Sequence, residues 1–162
     1  MERSRRVCLW AASLLSSCDS GATVREVSGN GATDDQERVN NQSMGKKMKM
    51  KVKIGSKTFA ATLDDNAATG RLKAMLPLTL DMSELNGNEK YFHFSTDLPS
   101  NDSNPGTIRS GDLMLWQKNS FVLFYETFET SYSYTRLGRL DDPTGLAEAV
   151  GKGSVTVTFE LE

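Results

Sequence analysis

Residues 104–150 read NPGTIRSGDLMLWQKNSFVLFYETFETSYSYTRLGRLDDPTGLAEAV, and this stretch decides the fold. Leu113 to Trp116 and Phe121 to Tyr125 are two runs of strand-forming residues, separated by the short polar segment Gln117 to Ser120. Side chains alternate along a strand, so Phe121, Leu123 and Tyr125 point one way and Val122 and Phe124 the other. A strand apolar on both faces is central and covered, and the expected cover is a helix. Beyond it, a loop carrying Tyr132, Tyr134 and Arg136 leads to a helix expected over Pro143 to Val150. Asp142 would cap that helix, Pro143 would occupy its first turn, and Gly151 would end it.

Working outward, the same short-strand rhythm continues on both sides. Met48 to Ile54 and Thr58 to Leu63 alternate as two strands joined through Gly55-Ser56-Lys57. Asp64-Asp65-Asn66 can cap a helix with Ala68, Leu72, Met75 and Leu76 on its apolar side, ended by Pro77. Leu78 to Met82 and Tyr91 to Ser95 read as strands around the Asn86-Gly87-Asn88 turn, and Asp97 to Gly106 as a polar loop. Ser154 to Leu161 closes with strict alternation, Val155, Val157 and Phe159 against Thr156, Thr158 and Glu160. Many short strands, two short helices and no βαβ rhythm predict a mainly β fold, a small closed β-barrel.

The totals bound the function. A chain of 162 residues supports one folded domain. Its net charge of −2 gives no electrostatic reason to expect a nucleic-acid partner. Lys49, Lys51 and Lys53 alternate with Met and Val, which is a solvated strand face, and no aromatic side chains interleave for base stacking. Both cysteines, Cys8 and Cys18, precede the predicted domain, and His93 is the single histidine, too few for a thiolate or zinc cluster. No Gly-x-Ser-x-Gly elbow and no phosphate-cradling glycine loop occurs, so neither hydrolase nor nucleotide chemistry is expected, nor any cofactor.

The N-terminus reads as an address. Arg3, Arg5 and Arg6 precede a short apolar run, Val7 to Leu15, that is too short to span a bilayer. Leu15-Ser16-Ser17-Cys18 resembles the lipobox of bacterial lipoproteins, which implies a lipid on Cys18 after removal of residues 1–17. Residues 18–45 are polar and rich in small side chains, and are expected to be a flexible tether holding the domain of residues 46–162 at the cell envelope. The competing expectation is a cytoplasmic protein whose translation starts at Met44.

Asn104-Pro105, Gly111-Asp112 before a strand, Phe121 to Tyr125, and Leu137-Gly138-Arg139-Leu140 resemble the small bacterial cyclophilin-like domains. Met75-Leu76-Pro77-Leu78 and Tyr91-Phe92-His93-Phe94 fit the same pattern. The resemblance implies a cyclophilin-like barrel with shortened loops. In true cyclophilins it also implies prolyl isomerisation, in which an arginine from a Phe-His-Arg run stabilises the prolyl nitrogen as amide resonance is lost, against a barrier of about 18–20 kcal/mol. Here Phe94 stands where that arginine belongs, and the Phe-Met-x-Gln-Gly-Gly signature is absent. The expected role is therefore binding of a peptide segment or small ligand in a barrel-side groove. A weak prolyl isomerase is the alternative, and a cytoplasmic accessory to redox or flavin enzymes is a third. Candidate ligand contacts are Tyr91, His93, Phe94, Trp116, Phe124, Tyr132, Tyr134 and Arg136, with Phe124 matching the wall of the proline pocket.

Overall fold

The computed structural model describes residues 47–162. The expected signal segment, tether and lipid-bearing Cys18 lie outside the described residues. The chain runs through β1 (Met48–Ile54), β2 (Lys57–Leu63), α1 (Ala67–Met75), β3 (Leu78–Leu85), β4 (Glu89–His93) and β5 (Thr107–Ile108). It continues through β6 (Asp112–Trp116), β7 (Ser120–Phe124), β8 (Phe128–Glu129), β9 (Thr135–Leu140), α2 (Leu146–Val150) and β10 (Val155–Leu161). Eight strands close an antiparallel barrel in the order β1-β10-β3-β4-β7-β6-β9-β2, and β5 pairs with β8 as a separate ribbon. The mainly β closed barrel with two short helices is thus the observed architecture.

Alternation fixes which residues fill the barrel. Met50, Val52 and Ile54 point inward from β1, while Lys49, Lys51 and Lys53 stay exposed. Phe59, Leu80, Met82, Leu113, Leu115, Phe121, Leu123, Val157 and Phe159 complete the interior, joined by Ala68 and Leu72 from α1 and Leu146 and Val150 from α2. At about 1.5–3 kcal/mol for each large apolar side chain removed from water, this cluster is the main favourable term in folding. Asn66, the last of the three candidate caps, is the one that caps α1: its side chain accepts from the Thr69 N–H at 2.9 Å and donates to the Arg136 carbonyl at 2.8 Å.

Three expectations need correction. Arg136 is not in a loop: residues 135–140 form β9, which pairs with both β2 and β6. The segment is hard to read as a strand because Gly138 interrupts it. Glycine is required there, since a Cβ would meet the Thr62 carbonyl oxygen at 2.4 Å and the Leu63 Cα at 2.9 Å. The second helix is shorter than Pro143 to Val150, beginning at Leu146 after Gly145. Asp142 instead caps a turn, accepting from the Thr144 N–H at 2.9 Å. Finally, the cover over the outer side of β7 is not a helix. Val122 and Phe124 lie under the β5–β8 ribbon and the segment after it, packed with Ile108, Met114, Phe128 and Tyr134.

Candidate functional site

The sheet formed by β4, β7 and β6 carries two cores, one on each side. Register places His93 opposite Ser120 and Ser120 opposite Trp116; the neighbouring row is Tyr91, Val122 and Met114. These side chains share the outer face with Glu89 and Phe124, which form the next row. Phe124 is fully buried, edge-to-face with Tyr134 at 5.6 Å and tilted against Phe128 at 5.7 Å. The β5–β8 ribbon covers part of this face. Along its border a groove of about 460 Å³ remains open.

Five aromatic side chains line that groove: Tyr91, Trp116, Phe128, Tyr132 and Tyr134. At one end sits a polar pair, with the Ser120 hydroxyl 2.8 Å from His93 Nδ1. His93 is exposed and also meets the edge of Tyr91, with ring centres 5.0 Å apart. Ser120 is buried, and among the described residues no carboxylate hydrogen-bonds the His93 ring, so there the pair lacks the third member of a nucleophilic triad. It can offer a hydroxyl and an imidazole to a ligand.

The other end is acidic. Glu89 lines the groove half-buried, and none of the ion pairs among the described residues uses it. Burial, with a smaller push from the Glu84 charge, raises its carboxyl to about 7. Glu129 lines the same groove and accepts from the Thr107 hydroxyl at 2.7 Å. Among the described residues, neither lysine nor arginine lines it. Tyr134 is shifted upward too, by burial first and then by the Glu89 charge.

Glu89 owes its place to the turn before it. Asn86 and Gly87 adopt positive φ of 56° and 72°, which a tight β-turn of this hand demands, and the Gly87 N–H donates to Glu84 at 2.9 Å. Behind the turn, inside the barrel wall, Lys90 is completely buried. Its ammonium donates to Glu84 and to the carbonyls of Gly151 at 2.9 Å and Gly153 at 2.6 Å. Tyr125 donates its hydroxyl to the other Glu84 oxygen at 2.8 Å. Burial drives Glu84 up, yet bonds from Lys90, Tyr125 and Gly87 hold its carboxyl below the usual range. The one cation adjacent to Glu89 in sequence is therefore committed to the opposite face.

Of the candidate contacts read from sequence, the structure brings Tyr91, His93, Trp116, Tyr132 and Tyr134 together around one groove. It does not bring Phe94, Phe124 and Arg136 there. Phe94 points into the barrel, stacked on Phe121 with ring centres 6.1 Å apart. Phe124 lies beneath the ribbon rather than on a pocket wall. Arg136 is exposed and pairs with Asp64 at 3.3 Å. Sequence reasoning missed Glu89, Ser120 and Phe128. Glu89 was legible in principle, because it shares the alternating face of Tyr91 and His93; Ser120 and Phe128 depend on cross-strand register and ribbon placement, which carry no local signal.

A family model described as the cyclophilin-like family matches residues 52–160. No curated protein matches the chain. Among solved structures, the solution structure of a hypothetical protein from Archaeoglobus fulgidus superposes with a TM-score of 0.50 at 18% identity, covering 74% of this chain and 100% of that one. At that identity the likeness shows the fold alone.

Proposed function

The chain belongs to the cyclophilin-like family, and from that premise we propose that its domain is a binding module that holds a small ligand, or one side chain of a peptide segment, in the groove beside β4. One observation carries this reading. Of the three large hydrophobic side chains exposed among the described residues, two, Leu85 and Tyr132, stand on the rim of the same aromatic groove. Tyr132 is 64% exposed, a cost in water that a bound apolar group would offset.

Isomerase chemistry is disfavoured by the same geometry. It requires a donor aimed at a prolyl nitrogen, and neither Phe94 nor the Asp64-paired Arg136 supplies one to the groove. Chemical-shift mapping with 2-phenylethanol and with a proline-containing tetrapeptide tests the reading. The expected result is saturable shifts confined to Tyr91, Trp116 and Tyr132, with no acceleration of prolyl isomerisation. Shifts clustered elsewhere, or robust turnover lost on His93→Ala or Arg136→Ala, overturn it.

On the same proposal the domain is anchored to the bacterial envelope through a lipid on Cys18, supported by the order of arginines, apolar run, small residues and cysteine. Membrane fractionation with a Cys18→Ala control tests this. Soluble wild type without lipid label refutes it.

A further inference from the structure

The groove is not electrically neutral, and its asymmetry names a ligand chemistry. Glu89 and Glu129 are its carboxylates, five aromatic rings are its walls, and among the described residues it is lined by no lysine or arginine. Aromatic faces attract an ammonium through their ring quadrupole, and a half-buried carboxylate attracts it through charge. An anionic ligand would meet repulsion from both. A neutral ligand would use the walls and leave Glu89 without a partner.

Resting on the groove-binding reading above, we propose that the groove selects an organic ammonium, a protonated amine carried on an apolar or aromatic body, with Glu89 as its counter-charge and Tyr91, Trp116 and Tyr132 as its walls. The volume of about 460 Å³ suits a small molecule or a single side chain. The amine comes from a free small molecule or from a peptide lysine, and both present the same headgroup.

Three further features support this assignment. Glu89 sits on a rigid strand beside a turn pinned by Glu84, so its direction is set before any ligand arrives. Lys90, which would otherwise neutralise it, is held on the opposite face by Glu84 and two carbonyls. A half-buried acid raised to about 7 with no partner is also a cost to the folded state, the kind of arrangement that binding sites retain.

The titratable groups around Glu89 are Glu84 on β3, Tyr125 beyond β7, and Glu129 and Tyr134 on the ribbon side, with His93 farther along β4. Glu84 is held charged by Lys90 and the tyrosines are shifted upward, Tyr125 to about 12, so across pH 6–8 Glu89 is the acid expected to change state next to the ammonium. Below about 7 it is neutral; above, it is the counter-charge.

Calorimetric titration of the full chain with phenethylammonium, 2-phenylethanol and N-acetyl-lysine methylamide tests the proposal. Phenethylammonium is expected to bind about tenfold tighter than the alcohol at pH 8. Its affinity should fall about fivefold between pH 8 and pH 6 as Glu89 gains a proton. Glu89→Gln should remove both the preference and the pH slope. A free amine that binds when the blocked lysine does not assigns a small-molecule source; the reverse assigns a peptide. Equal binding of amine and alcohol overturns the ammonium assignment and leaves the groove reading standing. So does a pH slope that survives Glu89→Gln, since Glu89 is then not its source. If none of the probes gives a saturable heat of binding, both readings fall together.

Discussion

Replacing Lys90 by methionine is the sharpest test of how this domain is held together. The ammonium is fully buried and donates to Glu84, the Gly151 carbonyl and the Gly153 carbonyl, which satisfies all three of its protons. It also lies 5.3 Å from the centre of the Tyr125 ring. Methionine keeps most of the stem volume but removes every donor. Glu84, whose side chain is 26% exposed, would then keep only Tyr125 and the Gly87 N–H as partners. Breaking a buried pair from one side costs about 3–5 kcal/mol, because the remaining charge stays desolvated. With a urea slope of about 1–3 kcal/mol per molar, the unfolding midpoint should fall by about 2 M. The same substitution in a Glu84→Gln background should cost markedly less, since the stranded charge is gone. A loss below about 1 kcal/mol in the otherwise unchanged chain would match an exposed pair and refute the reasoning.

Other outcomes follow from the same geometry. Glu89 has a folded value of about 7 against 4.5 for an unperturbed carboxyl, so between those values the native state keeps a proton that the unfolded chain has lost. Stability should therefore fall as pH rises from 4.5 to about 7 and be flat above, and Glu89→Gln should raise the urea midpoint at pH 8 with no gain at pH 4.5. Equal gains at both pH values would contradict this. Gly138→Ala forces a Cβ against the Thr62 carbonyl at 2.4 Å and should cost about 1–3 kcal/mol in thermal or urea unfolding. Arg136→Ala removes an exposed pair with Asp64 and should change stability by less than about 1 kcal/mol, with no effect on groove binding.

Much of the barrel was legible locally because strand alternation is a period-2 signal that survives without tertiary context. Val155, Val157 and Phe159 announced β10, and Met50, Val52 and Ile54 announced β1. The groove was legible only in part. Tyr91 and His93 could be paired by parity, and Trp116, Tyr132 and Tyr134 were candidates by residue type, but nothing local said that Ser120 and Phe128 would join them. The segment 135–140 escaped because Gly138 breaks the strand pattern at the point where backbone crowding requires it.

The sequence by itself determined the fold class and the faces of most strands, because each of these rests on residue identity and spacing alone. Only the tertiary structure decided what the outer face of β4–β7–β6 is for. Register aligned His93, Ser120 and Trp116 in one row, and the β5–β8 ribbon covered part of that face and left a groove open beside it. The same folding turned Lys90 inward and left Glu89 outside the ion pairs among the described residues. Adjacent residues on a strand point to opposite sides, so two neighbouring charges that look paired in sequence are separated by the sheet itself.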